Sequence, residues 1–187
     1  MFRRFMRQGG GQMGFGPEQI NTINQANQLR ASGQCEQAAM LFAQLAAAME
    51  TSGHPRRAAN FHAQAAHTFA DANEPVRSLT HARRALDLFL QFQMVRRIPV
   101  FYTNITRHLR NKGLVGAADQ VVKEYAAKVS SFPMPVQPPQ TAQSGPRPVL
   151  PPSCPKCGAP VRSDEIEWID NRSAECIYCG TTLQAVS

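Results

Sequence analysis

Gly33-Gln34-Cys35-Glu36-Gln37-Ala38 is answered forty residues later by Asn73-Glu74-Pro75-Val76-Arg77-Ser78, and forty later again by Gly113-Leu114-Val115-Gly116-Ala117-Ala118. Each stretch interrupts an apolar pattern of helical period and then restarts it, as a residue tolerant of left-handed backbone followed by a helix start should do. The register extends into the flanks. At the same offset Ala26, Ala66 and Thr106 align, as do Leu29, Phe69 and Leu109; Ala38, Ser78 and Ala118; and Met49, Phe89 and Val129. Small residues fall where helices would cross closely, and larger apolar ones fall on the stripe to be buried. Further breaks stand at Gly53-His54-Pro55 and at the Ile98-Pro99 step. Pro17-Glu18 opens the pattern, with proline in the first turn and an acid at the positive end of the helix dipole. The spacing predicts six helices, at about 18–31, 35–52, 56–71, 75–93, 99–111 and 114–131, arranged as three stacked hairpins.

The chemistry lies outside this array. Cys154-Pro155-Lys156-Cys157-Gly158 and Cys176-Ile177-Tyr178-Cys179-Gly180 are two Cys-x-x-Cys pairs separated by eighteen residues. Each pair sets two sulfurs about one tetrahedral edge apart, so Cys154, Cys157, Cys176 and Cys179 read as the ligands of one structural Zn²⁺. Iron bound in the same thiolate cage, or a redox switch that releases zinc on oxidation, remain open alternatives. Between the pairs, Ile166, Trp168 and the facing Ala174 alternate as a hairpin does, with Asp170-Asn171 as its turn. So short a segment needs the metal to fold. The fifth cysteine, Cys35, falls at a helix start and at a packing position of the repeat. Clustered Cys-x-x-Cys spacing with an odd total points to metal over disulfides, and to a reducing compartment.

The net charge of +7 is divided unevenly. Residues 18–132 carry 13 basic against 8 acidic side chains, whereas residues 154–187 carry 3 against 5, before four thiolates around one Zn²⁺ add about two more negative charges. The cysteine segment is thus the acidic end, unsuited to clamping nucleic acid. Residues 133–153 hold eight prolines and read as a polyproline-prone linker that could span about 65 Å. Residues 1–17 read as a flexible basic start, in which Phe2, Phe5 and Met6 opposite Arg3, Arg4 and Arg7 would give at most a weak peripheral membrane contact. No secretory signal and no transmembrane stretch is read, so the expected location is cytoplasmic.

Gly33 followed by Ala38 and Phe42 resembles the turn and second helix of a tetratricopeptide repeat, and Gly113, Ala118 and Val122 follow the same frame. The period is forty where that family has thirty-four, and Thr22 stands at its tryptophan position. An ordinary three-hairpin bundle is the alternative. The cysteine segment resembles rubredoxins and zinc ribbons in its first knuckle, and the long hairpin with Trp168 favours the ribbon. The expected fold class is therefore mainly α: three stacked helical hairpins in the tetratricopeptide manner plus a small separate β zinc ribbon. The first resemblance implies a groove lined by the first helix of each hairpin. Carried across, it places Asn27, Arg30, Asn60, His67, Arg107 and Arg110 on that face, as grips for an acidic peptide or a carboxylate.

No glycine-rich phosphate loop, paired catalytic carboxylates or nucleophile elbow occurs, and no histidine stands at ligand spacing from a cysteine or acid. The expectation is accordingly not an enzyme but an intracellular adaptor, binding a partner protein through the helices and offering the zinc ribbon as a second contact. The alternative is a nucleic-acid-associated factor, in which Arg56-Arg57, Arg83-Arg84 and Arg96-Arg97 would meet phosphates.

Overall fold

The structure, a computed structural model, describes residues 14–132, 149–161, 166–170 and 172–186. The basic start with Phe2, Phe5 and Met6, the linker through residue 148, and Asn171 lie outside the described residues. Six helices follow in order: α1 (Pro17–Ala31), α2 (Cys35–Thr51), α3 (Pro55–Asp71), α4 (Pro75–Gln91), α5 (Arg97–Asn111) and α6 (Val115–Val129). The bounds lie close to those expected. Among the small departures, α5 starts at Arg97 so that Pro99 occupies its first turn, where the missing N–H has no intrahelical partner to lose.

The turns obey a stricter rule than the hairpin repeat. Gly33, Gly53, Asn73, Gln93 and Gly113, twenty residues apart, all take left-handed φ, at 81°, 74°, 59°, 49° and 75°. At each, the N–H of that residue and the next return to carbonyls of the last helical turn. Gly33 N donates to Arg30 O and Gln34 N to Leu29 O, and the same pair recurs at the other four. These are Schellman closures, which satisfy carbonyls that would otherwise be orphaned. Asparagine tolerates this backbone; glutamine bears a steric cost of about 1–2 kcal/mol. Gln93→Gly is therefore expected to stabilise the chain by about 0.5–1 kcal/mol once glycine's greater unfolded entropy is subtracted. A thermal melt that fails to rise would show that the Gln93 side chain makes a compensating contact.

Consecutive helices pack pairwise, and α3 also meets α5 while α4 meets α6, so the hairpins stack. Of the residues aligned by the forty-residue offset, all but Leu29 are buried. Ser78 shows why the small positions matter: its Oγ donates 2.8 Å to Ala66 O at the α3–α4 crossing, where a larger side chain would hold the helices apart. Phe42, Phe61 and Phe89, at most 1 % exposed, fill the interior, each burial contributing about 1.5–3 kcal/mol. Cys35, for which packing was expected, is only half-buried, because it occupies the first residue of α2.

The even-numbered helices carry ion pairs that join one hairpin to the next. Arg77 meets Glu36 at 2.9 Å, and Arg83 pairs with Glu124, each across forty-one residues. Arg84 adds a two-point contact to Glu50 at 2.7 and 3.0 Å. Exposed pairs of this kind contribute about 0.2–1 kcal/mol apiece, so they pin register more than they hold the fold.

The C-terminal region forms a three-stranded antiparallel sheet in the order β1 (Glu167–Trp168), β2 (Ser173–Glu175), β3 (Thr182–Gln184). Trp168 lies opposite Ala174, as the alternation predicted, and Ala174 lies opposite Leu183. Asp170 closes the hairpin by accepting from the Ser173 hydroxyl and from the backbone N–H of Arg172 (2.8 Å) and Ser173 (2.7 Å), and these bonds, the hydroxyl's foremost, hold its carboxyl below the usual range. The module begins earlier than the first cysteine: Val149 pairs with Val186, and Leu150 is buried.

Candidate metal centre

The four cysteines come together through two matching knuckles. In the first, Gly158 N donates to Cys154 O and Cys154 N to Ala159 O; in the second, Gly180 N donates to Cys176 O and Cys176 N to Thr181 O. Gly158 takes φ +74°, a backbone angle that favours glycine, and a Cβ there would stand 2.8 Å from Ile20 Cδ1 on α1, displacing the tip of that side chain. The four sulfurs lie within 4.8 Å of one another, with Cys154–Cys179 at 3.7 Å and Cys157–Cys176 at 3.8 Å. A tetrahedron of metal–sulfur bonds near 2.3 Å has edges of about 3.8 Å, so the cage has the size a metal ion needs.

Its electrostatics point the same way. Hydrogen bonding to Cys176 and Cys179, together with burial, pushes the Cys157 thiol far up. Cys176 is drawn down by Cys157, but Cys179 and burial leave it at about 12. Cys179 is held low by hydrogen bonds from Cys157 and Cys176, with the Thr181 hydroxyl 3.3 Å from its sulfur. Four thiols so close cannot all ionise without a counter-charge, and a divalent cation supplies it. The four residues can hold a metal ion as a closed site, with no position left over for a substrate.

The module is a distinct sheet, yet it is docked on the helices through the backbone of its own knuckles. Phe15 N donates to Cys157 O at 3.0 Å, and Phe15, assigned from sequence to the flexible start, is buried. Arg97, at 8 % exposure, donates to Glu175 Oε1 at 2.8 Å and to Cys176 O at 3.1 Å. Tyr178, between the ligands Cys176 and Cys179, is 1 % exposed. Its hydroxyl lies 2.9 Å from Asn27 Nδ2, its carbonyl accepts from Asn60 Nδ2 at 3.2 Å, and its ring meets Phe61 at 5.8 Å. Phe61 in turn meets Phe15 at 5.5 Å, and the Arg57 guanidinium lies over the Phe15 ring. The contacts fall on α1, α3 and the start of α5, where the basic helical part faces the acidic module.

Of the six residues expected to line a groove, Asn27 and Asn60 thus meet at Tyr178 of the same chain. Burial first, then the neighbouring His108 and more weakly Arg30, depresses the His67 imidazole. His67 packs edge-on against Phe101 and His108. Arg107 is exposed, and Arg110 turns towards α6, 3.3 Å from Asp119. Tyr178, Glu175 and Phe15 were not singled out from sequence, and Arg97, read there only as a possible phosphate contact, meets Glu175 and Cys176 O of its own chain. The one available signal was the spacer Ile177-Tyr178: its counterpart Pro155-Lys156 is exposed, as the spacer of a free knuckle should be.

The histidines between helices are held neutral. His62 Nε2–H donates to Glu50 at 3.0 Å, so its Nδ1 accepts from His81 Nδ1–H at 2.8 Å. A second proton on His62 would force His81 to switch tautomer so that its Nδ1 accepts. Burial lowers His62, lowers His81 to about 4 and lowers His67 to about 3. Because these folded values lie below the unfolded one, their contribution is intact above about pH 6.5 and is lost as pH falls towards 4. Asp71, lowered to about 2 by His108 and Lys112 in spite of burial, adds a loss only below about pH 3.8. Urea midpoints should therefore drop between pH 7 and 5, and less steeply in His81→Gln. Equal slopes in the two proteins would remove His81 from the explanation.

Set against known proteins, the chain matches no family model, no curated protein and no solved structure. Among the described residues no helix is long and apolar enough to cross a membrane.

Proposed function

We propose that this chain is an intracellular protein-interaction adaptor in which a tetratricopeptide-like array and a zinc ribbon form one binding body. The observation that carries the reading is how the α1/α3/α5 face treats polypeptide. Asn60 and Arg97 donate to main-chain carbonyls, Asn27 engages a tyrosine hydroxyl, and Arg97 takes a carboxylate. These are the contacts by which a helical-repeat groove grips a peptide, here directed at the chain's own second knuckle. The exposed Arg107 continues that face for a partner's carboxylate.

Zinc is the metal we propose, since closed four-thiolate sites on small ribbons most often serve as zinc staples, with iron as the alternative. Purified protein should carry one equivalent of zinc and be colourless; a visible thiolate-to-iron absorption would replace zinc with iron. Affinity capture should return a protein partner that survives nuclease, and Arg107→Glu should weaken its retention by about tenfold. Retention lost with nuclease would favour the nucleic-acid alternative, and retention unchanged by Arg107→Glu would move the binding face elsewhere.

A further inference from the structure

The docking of the module creates a feature that neither part has alone. Along the seam runs an open cleft of about 500 Å³, with Arg56 from the start of α3, Val95 and Arg96 from the turn before α5, Lys156 from the first knuckle, and the Arg97–Glu175 pair at its floor. Arg97 and Glu175 neutralise each other. Arg56, Arg96 and Lys156 are exposed, and they come from segments forty and sixty residues apart that only the tertiary fold brings to one rim. Two of the four arginine doublets in the sequence thus contribute to a single cleft. Val95 stands beside them at 43 % exposure, one of the few large apolar side chains left in water.

Three like charges on one rim repel, so a compensating negative charge is expected there. The thiolates offer part of it, since Cys179 lines the same cleft and a four-thiolate zinc centre carries about two negative charges. That still leaves an excess cation, and it leaves Val95 without a role. The thiolate centre repels any anion, so charge alone does not choose between a phosphodiester and a carboxylate; among the described residues no aromatic ring lines the cleft for a base to stack on, whereas Val95 offers an aliphatic contact. A carboxylate beside an aliphatic side chain matches all of these features.

We infer that this cleft binds an acidic polypeptide segment, its carboxylates held by Arg56, Arg96 and Lys156 and a neighbouring apolar side chain resting on Val95. The inference rests on the adaptor reading and supplies the chemistry of the partner. It also explains why the module is docked: Lys156 joins the arginines only in the assembled body.

The test uses the full-length, zinc-loaded chain. Two probes are titrated near physiological salt: a peptide alternating glutamate and leucine, and a single-stranded oligouridylate of equal length. Binding is followed by amide chemical shifts and fluorescence anisotropy. The expected result is peptide-induced shifts concentrated on Val95–Arg97 and Gly180–Thr182. Affinity should fall at least tenfold in Arg56→Glu/Arg96→Glu and about threefold in Val95→Ser, with zinc content unchanged. The site is overturned if the RNA binds more tightly than the peptide with a steep salt slope, or if the double reversal alters zinc retention and not peptide binding, which would make the cations servants of the thiolates. Peptide binding abolished by Arg107→Glu but indifferent to Arg56→Glu/Arg96→Glu would sink this site and leave the adaptor reading standing. No shift with either probe would sink both.

Discussion

Cys176→Ser should strip the chain of its metal and unfold the C-terminal module. Apparent zinc-binding free energies in structural sites of this kind run to about 10–16 kcal/mol, and the module's three short strands cannot replace them. The damage should spread beyond the sheet. Cys176 O is where Arg97 donates, and Tyr178, two residues on, covers Phe61, which is wholly buried in the native chain. Loss of the knuckle leaves Arg97, Asn27 and Asn60 on an uncovered face, each with a donor that has lost its partner. The measurements are metal content by atomic absorption, dye binding to newly exposed apolar surface, and melting of the helical signal. Zinc at one equivalent would refute the ligand assignment. Zinc loss without any change in the helical melt would show that the docking adds nothing to the helices.

Tyr178→Ala should destabilise the protein by about 3–5 kcal/mol, the range for removing a fully buried aromatic ring. The four cysteines survive in this variant, so the metal should remain while the seam loosens, and exchange at the Phe15 amide, bonded to Cys157 O, should speed up. Tyr178→Phe retains the ring and removes only the hydroxyl, leaving the Asn27 amide without that partner, at a cost of about 1–3 kcal/mol. The comparison separates ring packing from hydrogen bonding. Equal urea midpoints for the two variants would assign the docking energy to the polar contacts, and unaltered exchange at Phe15 would show that Tyr178 does not hold the seam.

The helical half was legible because its signals are local. Apolar spacing, a turn residue and a helix start sit within a few positions of one another, and the forty-residue alignment placed Ala26, Ala66, Ala38 and Ala118 on buried faces. The twenty-residue spacing of the left-handed turns was harder to see. Gln93 gives no hint of positive φ, and its backbone is set by the Schellman closure onto Phe89 and Leu90. The histidine chain from Glu50 through His62 to His81 joins residues on three helices and has no sequence signature at all.

The candidate site divides along the same line. Cys-x-x-Cys spacing by itself picked out four cysteines that could hold a metal ion, because a tetrahedral cage suits residues three positions apart, and the alternation between the pairs picked out a small sheet. Asn27 and Asn60 were picked out as residues that bind polypeptide, but which polypeptide they touch was beyond the sequence. Only the tertiary structure decided that Tyr178 lies against them, that Arg97 reaches Cys176, and that Arg56, Arg96 and Lys156 share a cleft. Those contacts link residues separated by some sixty to one hundred and fifty positions across a proline-rich linker, and a side chain's neighbours at such separations depend on how whole elements pack. Pattern within one element cannot carry that information, so the sequence fixes each part's fold and the packed chain fixes the surface they present together.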